Sequence, residues 1–203
     1  MEYRAVGRRC AVDMDSLQLP ISREETLSIL AAKKFKVVEV DIISQARSCI
    51  GVSLYRRGAR LFEAPATFDC SGFIKWLYGQ SGVWLPRRSI QQRQLGEIVE
   101  ISQVTAGDAV FVSSWTDYYI NDPADGVGHV GIATVEKTVI HAANRQAGVI
   151  ESSFEEFVGV GKFRGVRRYI PQDRYVVILE TPVGREVETA DDVRWIVLQS
   201  LSK

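Results

Sequence analysis

The hydrophobic pattern of the chain changes near residue 98, and this change limits the folds that the chain can adopt. Before that point, apolar residues recur at helical spacing, as at Ile42, Ile43 and Ala46. After it, the chain carries short β-branched runs such as Ala109-Val110-Phe111-Val112, separated by turn residues. Helices followed by a run of antiparallel strands predict an α+β fold.

Helix-start signals place three helices in the first 80 residues. Ser22 and Glu25 have the spacing of a capping box and predict a helix over residues 22–35. Asp41 is expected to cap a second helix. A third helix is predicted to begin near Cys70 and to be well buried, because apolar residues cover much of its surface.

Charge and hydropathy exclude two classes of partner. The 203 residues contain 25 Lys and Arg against 25 Asp and Glu, so the broad positive field of a nucleic-acid binder is not expected. No apolar run reaches the roughly 18–20 residues that a membrane span needs, so membrane insertion is not expected. The first 20 residues lack the apolar core of a secretory signal. The expected location is therefore cytoplasmic, or outside the cell after export by a non-Sec route.

Only two histidines, His129 and His141, are available for catalysis. A hairpin turning at Glu136-Lys137 would make their strands antiparallel neighbours. Pairing about a centre near residue 135 would put His129 opposite His141, with both side chains on the same face of the sheet.

Cys70 is the candidate nucleophile among three cysteines, an odd count that argues against a disulfide scaffold. It lies at a predicted helix start, where free amide N–H groups would lower the pKa of a thiol and stabilise an oxyanion. Cys10 and Cys49 are expected to be bystanders. Cys70, His129 and His141 can then act as the nucleophile, the base and the group that orients the base.

Several motifs occur in an order that resembles the NlpC/P60 family of papain-like cysteine peptidases. The strongest are FDCSGF at Cys70, GHVGI at His129 and IHA at His141. Four weaker matches surround them: LYRRG at Tyr55, LPR with Ser89 and Gln92, TAGDAVF from Thr105 and FRGVRR from Phe163. The resemblance covers about residues 41–170.

The resemblance implies a papain-like fold in which N-terminal helices, including the nucleophile helix, pack on a mostly antiparallel sheet. It implies that Cys70 attacks an amide, that His129 is the general base and that His141 orients it. The implied substrate is a cell-wall stem peptide, which is cut at a γ-D-glutamyl bond to a diamino acid. The resemblance implies that the protein needs no cofactor and no metal for this reaction. The residues expected around the substrate are Tyr55, Asp69, Ser71 and Arg87.

Two departures from the family pattern affect the expected pocket. Arg56-Arg57-Gly58 stands where the family has paired glycines. The loop 113–128 is long and aromatic, so Trp115 and Tyr118 are candidate walls of a lid or specificity site.

Three regions are expected: an N-terminal extension over 1–40 packed on the domain, a catalytic domain over 41–170 and a C-terminal appendage over 171–203. The appendage is predicted to be a β-hairpin, with strands over 174–180 and 185–188, followed by a helix from Thr189. It would serve either packing or the binding of a partner, whose identity the sequence does not indicate.

Other functions remain open at this point. A lipid acyltransferase or hydrolase of the same superfamily would need an apolar groove, for which Trp115, Tyr118 and Tyr119 are candidate walls. A zinc site could use Cys70, His129 and His141, but structural zinc usually takes four ligands at short spacings. An inactive binding module is a further alternative, although all three candidate catalytic residues are present.

Overall fold

The computed structural model describes residues 2–119 and 121–202. Residues 1, 120 and 203, which belong to the predicted extension, loop and appendage, lie outside the described residues. The chain forms two compact units. The first contains residues 41–77 and 85–169, and the second contains residues 2–40, 78–84 and 170–202.

The secondary structure follows the expected change from helices to strands. The helices are α1 (Arg23–Ala32), α2 (Ile42–Ser48), α3 (Cys70–Gln80), α4 (Ser89–Gln92), α5 (Phe154–Lys162) and α6 (Ala190–Leu201). The strands are β1 (Arg9–Asp13), β2 (Lys36–Val38), β3 (Leu54–Tyr55), β4 (Thr67–Phe68), β5 (Glu97–Val99), β6 (Ala109–Val112), β7 (His129–Ala133), β8 (Thr138–Asn144), β9 (Gly148–Ser153), β10 (Phe163–Arg168) and β11 (Val176–Glu180). Among these described residues, no helix is both long enough and apolar enough to cross a membrane.

The first unit is built on one antiparallel sheet. Its strands lie in the order β5-β10-β6-β7-β8-β9. All four residues of β6 are buried, which explains why this strand is continuously apolar rather than alternating. Val112, Ala133 and Val139 of the sheet pack in one cluster with Phe157 of α5. The α+β prediction is confirmed, with helices and an antiparallel sheet in the same unit.

The predicted helix starts of α1, α2 and α3 are confirmed. Ser22 and Glu25 form the expected capping box, and the Asp41 side chain accepts a hydrogen bond from the Ser44 amide. Phe73 and Ile74 of α3 have no exposed surface, as its apolar composition predicted. Helix α5 has no counterpart among the predicted helices.

The second unit contains a sheet in which β11 lies between β1 and β2. Helices α1 and α6 contribute Leu30 and Val193 to the same buried cluster as Cys10 and Leu179. Residues 185–188, predicted as the second strand of a hairpin with residues 174–180, form no strand. The hairpin prediction is wrong because both edges of β11 are already hydrogen-bonded, one to β1 and the other to β2. Residues from 1–40 and from 171–203 therefore share one sheet.

Candidate active site

Asp69 fixes the point at which helix α3 begins. Its Oδ1 accepts a hydrogen bond from the Gly72 amide at 2.8 Å, the bond of an N-cap, and its Oδ2 accepts one from the Gly58 amide at 2.9 Å. A Cβ atom on residue 72 would lie 2.8 Å from Asp69 Oδ1, so the glycine leaves room for this cap. The cap places Cys70 at the first position of the helix.

Both neighbours of His129 in the sequence contact the Cys70 sulfur. The Gly128 carbonyl oxygen lies 4.0 Å from Sγ, and the amides of Val130 and Ser71 donate hydrogen bonds to the sulfur. The two amides act to lower the pKa of the thiol, but burial outweighs them and raises it to about 11. The predicted lowering of this pKa is therefore wrong, and Cys70 is a neutral thiol at physiological pH.

The two histidines form a hydrogen-bonded pair. His129 Nε2 lies 2.9 Å from His141 Nδ1, and the ring planes are nearly perpendicular, at 85°. Burial lowers the pKa of His129 to about 3, with His141 as a second cause, and burial lowers that of His141 to about 4. Both rings are consequently neutral imidazoles near pH 7.

Ser152 extends the pair to a third side chain. Its Oγ lies 3.1 Å from His141 Nε2. When His141 carries its proton on Nε2, this N–H can donate a hydrogen bond to Ser152. The Nδ1 atom of His141 can then accept a hydrogen bond from His129 Nε2–H. This tautomer leaves His129 Nδ1 without a proton, as a general base requires.

The pairing of β7 with β8 differs from the predicted register. Ile132 lies opposite Ile140 and Ala133 opposite Val139, so the pairing is centred on residue 136 rather than 135. Extending this register puts His141 opposite Gly131, which makes the two histidines diagonal neighbours. A Cβ atom on residue 131 would lie 3.1 Å from His141 Cβ, so the glycine leaves the space through which His141 reaches His129. The predicted direct pairing was wrong, but both rings still contact each other.

Phe157 of α5 packs against both histidine rings. Its ring centroid lies 5.5 Å from that of His129 and 4.8 Å from that of His141. This apolar contact contributes to the burial that keeps the imidazoles neutral.

Arg87 ties the helix start to the neighbouring loop. Its guanidinium donates to Asp69 Oδ1 and to Ser71 Oγ, each at 2.9 Å, and to the Ala59 carbonyl at 2.9 Å. Arg87 therefore holds Asp69 and Ser71 in place around Cys70.

A cavity of about 480 Å³ opens in front of Cys70. Its wall includes all the residues predicted to surround the substrate, namely Tyr55, Asp69, Ser71, Arg87, Trp115 and Tyr118. It does not include His129 or His141. Burial, together with Cys70 and Asp69, raises the pKa of Tyr55, so its phenol stays protonated and able to donate a hydrogen bond. The Trp115 side chain is fully exposed at the edge of the cavity.

Three residues important to this site were missing from the sequence prediction. Arg88 lines the cavity, and Ser152 and Phe157 contact the histidines. Arg57, which the sequence placed near the expected pocket, also lines the cavity. The capping-box spacing of Ser153 and Glu156 is a signal that could have found α5 and with it Phe157. Within residues 2–119 and 121–202, no group of three or more His, Cys, Asp or Glu side chains is placed to hold a metal ion.

The fold and this site define a class of proteins in which a cysteine at a helix start faces a histidine-bearing sheet. A crystal structure of an NlpC/P60 family protein from Bacillus cereus has the same fold, with a TM-score of 0.53 and 23% identity over 67% of this chain and 42% of that one. The family model described as NlpC/P60 family matches residues 53–168. The chain belongs to the NlpC/P60 family, as its motifs predicted.

Two curated relatives are named as peptidases. A probable endopeptidase of Corynebacterium glutamicum is 39% identical over 114 residues, which cover 56% of this chain and 47% of that protein. A gamma-D-glutamyl-L-lysine dipeptidyl-peptidase of Bacillus cereus is 28% identical over 134 residues, covering 64% of this chain and 36% of that protein. The chain thus spans less than half the length of each of these relatives.

Proposed function

We propose that this protein is a cysteine endopeptidase that hydrolyses small peptides from the bacterial cell wall at a γ-D-glutamyl bond to a diamino acid. The observation that carries the proposal is the position of Cys70 at the start of α3, where its sulfur contacts both chain neighbours of His129. The name of the Bacillus cereus relative, a γ-D-glutamyl-L-lysine peptidase, supports this choice of bond.

In the proposed reaction, the neutral Cys70 thiol transfers its proton to His129 as the sulfur attacks the amide carbonyl. The imidazolium that forms on His129 donates its Nε2–H to His141, which Ser152 holds in the accepting tautomer. His129 then gives its proton to the departing amine, which leaves an acyl group on the sulfur. A water molecule, deprotonated by His129, hydrolyses this thioester and restores the thiol.

The walls of the cavity favour a peptide over a lipid. A lipid acyl chain requires an apolar groove, whereas this cavity is lined by the charged side chains of Arg57, Asp69, Arg87 and Arg88. These charged groups suit a substrate that carries charged groups of its own.

A comparison of Cys70→Ala with the wild type tests this proposal. The substrate is the tripeptide L-Ala-γ-D-Glu-L-Lys, and the products are identified by mass spectrometry. We expect the wild type to release lysine and Cys70→Ala to be at least about a thousandfold slower, because the nucleophile is lost. Cys49→Ala is the matched control, since Cys49 is buried at the end of α2 and does not line the cavity.

Two results would contradict the proposal. One is that the wild type does not cleave the tripeptide. The other is that Cys70→Ala cleaves it as fast as the wild type does.

A further inference from the structure

Among the residues that the structure describes, two arginines of the cavity wall, Arg57 and Arg88, have no carboxylate partner. The neighbouring arginines are paired: Arg56 with Glu63, Arg87 with Asp69 and Arg93 with Asp125. Within residues 2–119 and 121–202, neither Arg57 nor Arg88 forms an ion pair, although both line the same cavity as Cys70.

Tyr118 holds both of these guanidinium groups at the cavity. Arg57 Nη2 lies 3.4 Å from the Tyr118 hydroxyl, and Arg88 Cζ lies 5.6 Å from the centre of the Tyr118 ring. Tyr118 in turn forms a β-bridge with Val127, which anchors it within the loop 113–128. Three separate segments of the chain thus bring two cations to one phenol.

The cavity wall carries an excess of positive charge, although the chain as a whole has no net charge. The described lining residues include Arg57, Arg87 and Arg88 and one carboxylate, that of Asp69, which Arg87 already neutralises. The remaining positive charge belongs to Arg57 and Arg88. A guanidinium with free N–H groups binds a carboxylate through paired, charge-assisted hydrogen bonds.

A γ-glutamyl bond uses the side-chain carboxyl group of glutamate and leaves its α-carboxylate free. We propose that Arg57 and Arg88, both in contact with Tyr118, bind this free α-carboxylate. The cavity then selects γ-glutamyl peptides with an ionised α-carboxylate over those in which the same group is an amide. This selection rests on the proposed function, because it concerns the substrate of the same site.

A matched pair of substrates tests the selection. The first is L-Ala-γ-D-Glu-L-Lys, and the second is its neutral analogue with an α-carboxamide on the glutamate. We expect the wild type to show a kcat/KM about 10- to 100-fold higher for the carboxylate, the range typical of hydrogen bonds to a charged group. Because both arginines are exposed to solvent, this ratio should shrink as the salt concentration rises.

The double variant Arg57→Gln/Arg88→Gln is expected to bring the ratio of the two kcat/KM values close to one. The double variant Arg57→Lys/Arg88→Lys keeps the positive charges but loses the forked guanidinium geometry, so its ratio should lie between those of the wild type and the glutamine variant. Arg56→Gln is the control, because Arg56 precedes Arg57 in the chain but pairs with Glu63 and does not line the cavity.

Equal cleavage of the two substrates by the wild type would overturn the selection and leave the peptidase proposal intact. An unchanged ratio in Arg57→Gln/Arg88→Gln would do the same. If the wild type cleaved neither substrate, the proposed function would fail and this inference with it.

Discussion

Burial sets the protonation states of the candidate catalytic side chains. It raises the pKa of the Cys70 thiol and lowers the pKa of both imidazoles, so all three groups are neutral at rest. Each shift disfavours the charged form, as desolvation does for acids and bases alike. In the proposed reaction, the thiolate and imidazolium therefore form together during the attack rather than before it.

The acid limb of the pH profile should lie well below neutrality. In the proposed reaction His129 must be neutral to accept a proton, so kcat/KM is expected to rise with pH through about 3 to 4 and to be flat from about pH 5 to 9. Phe157→Ala exposes both rings, which reduces the cost of the charged form and should move the acid limb toward pH 6.5. The measurement is kcat/KM against pH, with the fully exposed Val160→Ala as control. A wild-type acid limb near pH 6.5 would contradict this account.

At the scale of elements, the hairpin of β7 and β8 determines how the histidines meet. The sequence predicted its turn and its two strands, but the predicted register differs from the observed one by two residues along one strand. Gly131 makes the observed register compatible with a histidine pair. A Cβ atom there would lie 2.4 Å from Val139 Cγ1, and Val139 is completely buried.

Gly131→Ala should therefore displace β8 from β7 and separate the two rings. We expect an activity loss of at least tenfold and a destabilisation of about 1–3 kcal/mol, as is typical of overpacking. The double variant Gly131→Ala/Val139→Ala removes the contacting methyl group and should recover part of both losses. Peptide cleavage measures the activity and urea unfolding measures the stability, with the exposed Val135→Ala as control. Wild-type activity in Gly131→Ala would show that this space is not needed.

At the scale of the whole molecule, the second unit is assembled from distant parts of the sequence. Strand β1 pairs with β11 in a register that puts Arg9 opposite Glu180. Cys10, which the sequence analysis expected to be a bystander, lies in the buried cluster of this unit. Burial raises the pKa of its thiol to about 12, with Asp192 adding to the shift, which makes it unreactive.

Leu179 lies at the centre of this unit and has 1% of its surface exposed. Leu179→Ala is expected to destabilise the second unit by about 2–5 kcal/mol, the usual cost of a cavity in a core. Urea unfolding followed by hydrogen exchange of the β1 and β11 amides measures the effect. Val183→Ala, at an exposed position after the same strand, should cost far less. Equal effects of the two substitutions would mean that β11 does not hold a core.

Prediction succeeded where the deciding interaction is local in the sequence. The caps at Ser22 and Asp41 join residues three positions apart, and the start of α3 depends on the Asp69–Gly72 bond. Prediction from the sequence failed where the deciding interaction joins distant segments of the chain. The partners of β11 lie more than 130 residues away from it, and no local pattern encodes that choice.

The sequence by itself determined the α+β class, the family, the helix that carries Cys70 and the presence of two histidines on neighbouring strands. Local hydrogen bonds and apolar periodicity encode the fold class and its elements, whereas the order of the motifs indicates the family. The tertiary structure decided the pKa of Cys70, the contact of Phe157 with both imidazoles and the convergence of Arg57 and Arg88 on Tyr118. Burial and charge pairing depend on which segments meet in space, and that is settled only when the chain has folded.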